Sequence, residues 1–226
     1  MFSFQLLSAL ASAALLVSAA PAPKDNCCDT SAAKMDLPGN QTQLVAPTTA
    51  PLFVAIGVGV QNYTCSASTL KYTSTGAVAS LFDISCIDKT PAFATIQTTA
   101  FKAWSALSAG ISATTIGSKI GAPGLLGYHY FVPSPTGAGI SPKWDFTSTG
   151  KLAGNSTAFV IGSKVGDITA PTNSATNVDW LALNNLQGSL ASKIFRIDTV
   201  GGQPPTSCVA GSADISVKYT AKYYLY

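Results

Sequence analysis

The sequence contains no glutamate, and it has only one arginine, Arg196, and one histidine, His129. Every acidic residue is therefore an aspartate, and charged residues make up only 10% of the 226 residues. The lysines are scattered and the formal net charge is +3, whereas nucleic-acid binders concentrate Lys and Arg on one face or element. Nucleic acid is accordingly not expected as a partner, and Ser, Thr, Asn and Gln must solvate much of the surface.

The single histidine and the absence of cysteine pairs at C-x-x-C spacing also argue against several classes of enzyme. No G-x-S-x-G elbow accompanies His129, so hydrolysis by an activated serine is not expected. The cysteines lack C-x-x-C spacing with nearby histidines, so no metal site is predicted. The run Gly57–Asn62 has two glycines of a dinucleotide fingerprint but no third, and no helical pattern follows it. No cofactor is predicted.

Long apolar stretches are absent after the first residues of the chain. Met1–Ala20 has an apolar core, Leu6–Val17, that is too short to span a bilayer and ends on small residues. We therefore predict a signal peptide over residues 1–19, cleaved after Ala19, and no transmembrane segment. The protein is then expected to be secreted, either into the extracellular space or into the cell wall.

The cysteines and the sequons fit that expectation. An oxidising compartment predicts disulfide bonds, and an odd number of cysteines leaves one over. The adjacent Cys27 and Cys28 are not expected to bond each other, because that bridge strains the peptide between them. The sequons at Asn40, Asn62 and Asn155 predict glycosylation. Asn62 is the least favoured, because it lies in a run typical of a buried strand.

The pattern of apolar residues divides the mature chain into two parts. Residues 20–51 show little periodicity and predict an extended N-terminal arm, which Cys27 or Cys28 could attach to the body. Residues 52–226 predict a single β domain. Its first strand, Leu52–Val60, alternates branched apolar residues with small ones, and Gly57 and Gly59 indicate that something lies close against the second face.

Further segments show the same alternation or the same strand-forming residues. We predict strands at Lys71–Ser74 and Ala77–Ile84, joined by a turn at Thr75–Gly76, and at Tyr128–Val132, Lys143–Phe146, Ala158–Val165, Trp180–Leu183, Lys193–Val200 and Ile215–Tyr226. Pro91–Ile111 differs, because its bulky apolar residues recur at helical spacing after a Thr-Pro start. The fold class predicted is all-β, an antiparallel β-sandwich or barrel of about 8–10 strands with one inserted helix.

Aromatic and polar residues on these strands are the candidates for ligand binding. The candidates are Tyr128, His129, Tyr130, Trp144, Asp145, Tyr224 and Tyr226. Alternation places His129 opposite Tyr128 and Tyr130, and a structural histidine in the core is the favoured reading. Trp144 beside Asp145 is typical of a sugar platform, although Trp144 could equally pack in the core while Asp145 caps a turn. At the chain end, Tyr224 and Tyr226 share one face of a strand.

A glycosidase needs two carboxylates at a fixed separation across the sugar. The late aspartates are Asp83, Asp145, Asp167, Asp179, Asp198 and Asp214. Nothing in the sequence pairs any two of them, so a carboxylate-based glycosidase is only an alternative.

Several motifs occur in a fixed order along the chain. They are GVQNYTC at 59–65, ASLFD at 79–83, GYHYF at 127–131, DWL at 179–181, TVGGQP at 199–204 before Cys208, and YTAKYY at 219–224. Together they resemble the secreted family catalogued as domain of unknown function 3455, found in filamentous fungi and some bacteria. Members are sometimes labelled malate dehydrogenase, which the residues above do not support. The resemblance implies that Cys65 pairs with Cys208, leaving Cys86 for Cys27 or Cys28.

These observations favour a secreted, disulfide-bonded fungal protein without a recognisable catalytic set. We expect it to bind a glycan of the cell wall or a host surface through aromatic and polar side chains, without catalysis. A secreted hydrolase and an effector-like structural protein are the alternatives. The oligomeric state is left open.

Overall fold

The computed structural model of the protein describes residues 28–117 and 124–226. It contains eight antiparallel strands, which are β1 Phe53–Ser66, β2 Lys71–Asp83, β3 Leu125–Pro133, β4 Ile140–Asp145, β5 Phe159–Ile168, β6 Trp180–Gly188, β7 Lys193–Gly201 and β8 Ile215–Leu225. Each strand pairs with the next along the chain, and β8 pairs with β1, so the sheet is a closed barrel. The all-β prediction with one inserted helix is confirmed, and of the two architectures predicted the barrel is present. The predicted signal peptide lies outside the described residues.

Alternation along the strands separates the inside of the barrel from its outside. On β8, Tyr219, Ala221 and Tyr223 belong to the interior cluster, whereas Tyr224 belongs to the cluster outside the barrel. The largest interior side chains are Trp144, Phe146, Tyr219 and Tyr223. An eight-stranded barrel is just wide enough for side chains to fill it, and these aromatic rings occupy much of the space.

Glycines on β1 make room for the interior rings. A Cβ atom on Gly57 would come within 2.5 Å of a ring carbon of Tyr223. The prediction that something lies close against this face of β1 therefore has a physical explanation, because only glycine leaves space for that ring.

The helix α1, Pro91–Ala106, covers the outside of β1, β7 and β8. Phe93 and Trp104 point from it into the exterior cluster. The helix ends before the predicted Ile111, because Leu107 adopts an extended backbone. Lys218 Nζ donates hydrogen bonds to the carbonyl oxygens of Trp104 at 2.9 Å and Leu107 at 2.8 Å, and a cation at this end stabilises the helix dipole.

The structure of β2 differs from the prediction of two strands joined by a turn. The expected turn at Thr75–Gly76 is absent, and β2 runs without interruption from Lys71 to Asp83. Gly76 has a φ of +119° at an irregularity where the register with β1 shifts. A β-bulge therefore uses the glycine that the sequence suggested for a hairpin turn. The actual turn between β1 and β2 lies at residues 67–70.

Two disulfide bonds attach irregular segments to the barrel. Cys28 in the segment before β1 bonds Cys86, and Cys65 at the end of β1 bonds Cys208. The pairing implied by the family resemblance is confirmed, and the partner of Cys86 is Cys28. Residues 28–51 form no helix or strand, but Leu44 is buried in the exterior cluster.

Candidate ligand-binding site

One end of the barrel holds a cavity of about 540 Å3, which we name the mouth cavity. This is the end at which β1, β3, β5 and β7 finish and the even-numbered strands begin. Its polar lining includes Gln61, Tyr63, Asp167, Asp179, Arg196 and Gln203, and Phe131 and Leu181 are among its apolar residues. The volume and the mixture of apolar and polar groups are typical of small-molecule sites.

A smaller cavity of about 30 Å3 lies deeper in the barrel, and we name it the floor cavity. His129, Trp144 and Tyr223 line it, and it shares Arg196 and Phe131 with the mouth cavity. The two cavities therefore adjoin. Below them, the interior of the barrel is filled by aromatic rings. A ligand at this end must be short, because the rest of the interior is filled.

Arg196 stands at the boundary between the two cavities. Its Nε and Nη2 donate hydrogen bonds to the main-chain oxygen of Asp179, at 3.2 and 2.9 Å. Arg196 takes part in none of the ion pairs found among residues 28–117 and 124–226. A carbonyl oxygen orients the guanidinium without neutralising it, so the floor of the mouth cavity carries a fixed positive charge.

Buried tyrosines continue from this arginine across the barrel. The hydroxyls of Tyr219 and Tyr223 lie 2.9 Å apart, and the hydroxyl of Tyr63 donates to the carbonyl oxygen of Gly202 at 2.7 Å. Burial raises the pKa of Tyr223, an effect that the nearby charge of Arg196 partly offsets. Burial also raises the pKa of Tyr63 to about 12. These hydroxyls are therefore neutral at physiological pH and act as hydrogen-bonding groups.

Two buried donors in this region have no hydrogen-bond partner among the described residues. They are the side-chain amide Nε2 of Gln61, which lines the mouth cavity, and the indole Nε1 of Trp144, which lines the floor cavity. The Gln61 amide lies near the hydroxyl of Tyr219 and opposes the rise in the pKa of that tyrosine, but the two groups do not form a hydrogen bond of good geometry. Gln61 is 5% exposed and Trp144 is 1% exposed. Buried donors without partners are uncommon in proteins, and each one calls for an acceptor such as a water molecule or a ligand oxygen.

His129 belongs to the wall of the floor cavity. Its ring stacks on Trp144 with centroids 4.6 Å apart, and its Nδ1 lies 3.0 Å from the main-chain oxygen of Lys143. Burial lowers the pKa of His129 to about 4, so the ring is neutral at physiological pH. A neutral, stacked ring is suited to packing, and the favoured reading of a histidine in the core agrees with this placement.

Two aspartates lie together in the lining of the mouth cavity. The carboxylate of Asp167 pairs with Lys164 at 2.6 Å. Burial and the negative charge of Asp167 raise the pKa of the Asp179 carboxyl. Nothing in the sequence predicted these two carboxylates in one site. The connection between β5 and β6 brings them to one cavity.

Tyr128, Tyr130 and Asp145 lie on the opposite face of their strands from His129 and Trp144, outside the barrel. Tyr130 donates to Asp145 at 2.6 Å, and Lys143 pairs with Asp145 at 2.8 Å. Burial opposes ionisation of Asp145, but hydrogen bonds from Lys143, Thr147 and Tyr130 outweigh it and hold the pKa of the carboxyl well below its usual range. Tyr130, Lys143 and Asp145 therefore satisfy one another in a network on the barrel wall, away from the mouth cavity.

The remaining predicted aromatics lie away from the mouth cavity, and only Tyr226 is partly exposed, at a separate cavity of about 260 Å3. Trp144 is inside the barrel, so it cannot form a sugar platform on the exterior. Tyr224 is buried beneath α1, where it contacts Phe93 edge-on at 6.4 Å between ring centroids. Tyr226 packs against Phe195 in the same way. Of the seven predicted binding residues, the structure brings only His129 and Trp144 to the candidate site.

Arg196, Gln61 and Asp179 are residues of this site that the sequence reasoning missed. A signal for Arg196 was present, because β7 reads Ile194, Phe195, Arg196, Ile197 with alternation. A lone arginine between buried apolar neighbours faces either a core or a cavity. No comparable signal marked Gln61, whose burial depends on the neighbouring strands.

The rim of the mouth cavity is held by covalent and backbone links. The segment between β7 and β8 carries Gln203 and Cys208, and Cys208 is bonded to Cys65 of β1. The backbone N–H of Cys208 also donates to the carbonyl oxygen of Leu70 at 2.9 Å. The disulfide therefore fixes a long connection at the end where a ligand would enter.

A second cavity, of about 820 Å3, lies outside the barrel between α1, residues 36–38 and residues 171–177. The carboxylate of Asp198 in its lining already pairs with the buried Lys222 at 2.9 Å. An unpartnered acceptor, Gln97 Oε1, belongs to the lining of the exterior cavity, and an unpartnered donor, Gln61 Nε2, to that of the mouth cavity. The mouth cavity is the better candidate, because it also holds Arg196, a cation in none of the ion pairs of the described residues.

Among the residues that the structure describes, no helix has both the length and the apolar character needed to cross a membrane. The same residues contain no cluster of three or more His, Cys or Asp side chains arranged for a metal ion.

Residues 46–226 match the model of a protein family of unknown function, DUF3455. The resemblance stated from the motifs is thereby confirmed. Searches of curated proteins and of solved structures each found no match.

Proposed function

The chain belongs to the DUF3455 family, whose function is unknown, and we propose that it is a secreted binding protein that takes the end of a glycan into its mouth cavity. The observation that carries the proposal is the mouth cavity itself, whose lining combines an unpartnered donor, Gln61 Nε2, with charged groups and an apolar wall. Sugars need this combination, since their hydroxyls bond to amides and carboxylates while their C–H faces pack on rings.

The shape of the site supports a sugar end rather than a lipid. A lipid chain needs a deep apolar channel, and Trp144, Phe146 and Tyr223 fill the barrel below the mouth cavity. The mouth cavity of about 540 Å3 has room for a small polar group whose remaining chain extends into solvent.

Secretion is part of the same proposal. The predicted signal peptide and the predicted sequons motivate it, and two disulfide bonds, Cys28–Cys86 and Cys65–Cys208, are compatible with an oxidising compartment. Location in the cell wall follows if the bound glycan is a wall polysaccharide. Immunolocalisation of the native protein in the culture medium, the wall fraction and the cell lysate tests this; retention in the lysate alone contradicts secretion.

The test of binding is titration calorimetry of the purified protein with soluble chitin and β-glucan oligosaccharides, after a glycan array has selected the strongest binders. Ser74 is exposed and lines the mouth cavity, so Ser74→Trp adds bulk at the entrance. We expect this variant to lose binding at least tenfold while keeping its unfolding midpoint.

Thr73→Trp is the matched control, because Thr73 is also exposed on β2 but points to the other face of the strand. It is expected to bind like the unaltered protein. Equal binding by both variants would move the site away from the mouth cavity. Absence of any glycan ligand would contradict the proposed function.

A second candidate function is glycoside hydrolysis, which the pairing of Asp167 and Asp179 in one cavity favours. The raised pKa of Asp179 suits a general acid, and Asp167, which pairs with Lys164, is the candidate for a base or nucleophile. Release of reducing ends from the glycan that binds tests this candidate. Hydrolysis that disappears in Asp179→Asn would replace binding without catalysis as the function, whereas an uncleaved ligand supports the first proposal.

A further inference from the structure

The interior end of the mouth cavity presents hydrogen-bond donors and a positive charge. Gln61 Nε2 and Trp144 Nε1 are unpartnered N–H donors, and Arg196 adds a guanidinium that takes part in no ion pair among the described residues. Gln61 shares the mouth cavity with Arg196, and Trp144 shares the floor cavity with it. Buried donors without acceptors are unfavourable until an oxygen-rich group reaches them.

One acidic group lies near Arg196, because the guanidinium charge opposes the rise in the pKa of Asp179. Asp167 and Asp179 line the mouth cavity but not the floor cavity, and Lys164 neutralises Asp167. Carboxylates accept hydrogen bonds from hydroxyls and repel anions. A ligand with an acidic end and hydroxyls elsewhere therefore has one favourable orientation, with its acidic group toward Arg196 and its hydroxyls toward the aspartates.

From this arrangement we infer that the glycan end recognised at the mouth cavity is an acidic sugar whose carboxylate binds Arg196, with Gln61 and Trp144 as further donors. The inference rests on the proposed function and names its ligand class. A carboxylate is the acidic group that a glycan end would bring to Arg196, which can be reached from the mouth cavity and from the floor cavity. The planar guanidinium also matches a carboxylate in two-point hydrogen bonding.

The experiment compares ligands that differ in one group. Glucuronate and glucose share a ring and differ at C6, where one has a carboxylate and the other a hydroxymethyl group. Succinate supplies carboxylates without a sugar, and calorimetry measures all three with the full disulfide-bonded protein. We expect glucuronate to bind about 10–100-fold more tightly than glucose, the range expected for a charge-assisted hydrogen bond.

Each other outcome is decisive. Equal affinity for glucuronate and glucose would overturn the acidic sugar and leave the glycan-binding function standing. Binding of succinate but of neither sugar would overturn the glycan function and retain the anion site at Arg196. No binding by any of the three, or the same weak binding of every anion, would overturn the inference, the second case indicating an adventitious ion only.

Variants test whether the carboxylate of the ligand binds Arg196. Arg196→Gln should lose the preference for glucuronate over glucose, and Arg196→Lys should retain part of it because the charge remains. Since a change at Arg196 could unfold the barrel, Gln61→Leu is the second variant. It removes an unpartnered donor, so the fold should be retained while glucuronate affinity falls several-fold. An unchanged preference in folded Arg196→Gln would contradict the role of this arginine.

Discussion

The ring of His129 lies on the indole of Trp144, with centroids 4.6 Å apart and planes inclined by only 18°. The stack is enclosed by the barrel, where a charged imidazole has no water to solvate it. This contact makes His129 part of the interior packing, and it links the stability of the barrel to the protonation of a single group.

Stability should therefore depend on pH between the two pKa values of His129. The folded pKa is about 4, whereas the unfolded value is 6.5, so the unfolded chain binds more protons in that interval. The free energy of unfolding should rise as the pH rises from 4 to 6.5 and show no further His129 effect above it. The linked change is about 3 kcal/mol at most. Urea unfolding at a series of pH values measures it.

His129→Phe is the control for the pH dependence of the free energy of unfolding. Phenylalanine keeps a flat ring against Trp144 but cannot protonate, and it leaves the carbonyl oxygen of Lys143 without its partner. The variant should be less stable at pH 7 by about 1 kcal/mol, with a flatter profile between pH 4 and 6.5. An unchanged slope in the variant would assign the pH dependence to another group.

Asp145 should stabilise the barrel wall over a different pH range. Its pKa is lowered, so the contribution is present above 3.8 and is lost only as the pH falls through the much lower folded value. Asp145→Asn should lower the free energy of unfolding by about 1–3 kcal/mol, equally at pH 5 and pH 8. Asp29→Asn is the control, because the Asp29–Lys89 pair is equally close but more than half exposed. A loss of stability in the control as large as in Asp145→Asn would refute the importance of burial.

Gly57 should tolerate no side chain. An added Cβ would meet the buried ring of Tyr223 at 2.5 Å, so Gly57→Ala should destabilise the protein by about 1–3 kcal/mol in thermal or chemical unfolding. Gly110→Ala is the matched control, since nothing lies within 4 Å of its added Cβ. If both variants unfold at the same midpoint, the close packing of Tyr223 on β1 is wrong.

The Cys65–Cys208 disulfide should affect binding as well as stability. It closes a sequence separation of 143 residues and holds the rim of the mouth cavity, so Cys65→Ser with Cys208→Ser should lose about 2–4 kcal/mol of stability and weaken ligand affinity. Replacing Cys28 and Cys86 by serine should leave affinity unchanged. Peptide mapping without reduction checks both bonds first; recovery of a Cys65–Cys86 peptide would contradict the assignment.

Glycosylation should follow exposure. Asn40 and Asn155 are exposed, whereas Asn62 is half-buried within β1 and its Oδ1 accepts a hydrogen bond from Ser216 at 2.8 Å. Mass spectrometry of the protein expressed in a eukaryotic secretory host, after enzymatic deglycosylation, should find Asn40 and Asn155 modified and Asn62 unmodified. The Asn155 site lies between β4 and β5, at the opposite end from the mouth cavity, so removing its glycan should not change ligand affinity. A glycan at Asn62 would argue against this strand pairing.

Much of the secondary structure could be predicted because it depends on local patterns. Alternation in β1 and β8 placed branched residues and tyrosines on the correct faces, and Thr90–Pro91 marked the start of α1. The turn expected at Thr75–Gly76 was wrong, because a glycine with positive φ serves a bulge as well as a hairpin. Local sequence cannot choose between these uses.

The barrel and its candidate site could not be predicted in this way. Closure depends on β1 pairing with β8, and no local pattern distinguishes that pairing from two stacked sheets. The mouth cavity likewise brings Gln61 of β1 to Asp179 and Arg196, which are more than 100 residues further along the chain. Trp144 shows the same limit, because its neighbour Asp145 suggested a surface platform while alternation turned the indole inward.

The pairing of β1 with β8 also determines how the chain must be assembled on the ribosome. Strand β1 can pair with β2 as soon as both have emerged, but its other edge stays open until Ile215–Leu225 has been synthesised. Non-local pairings of this kind form slowly, and an open apolar edge invites wrong partners. The edge of β1 that later pairs with β8 therefore remains open to wrong partners for as long as Ile215–Leu225 is missing.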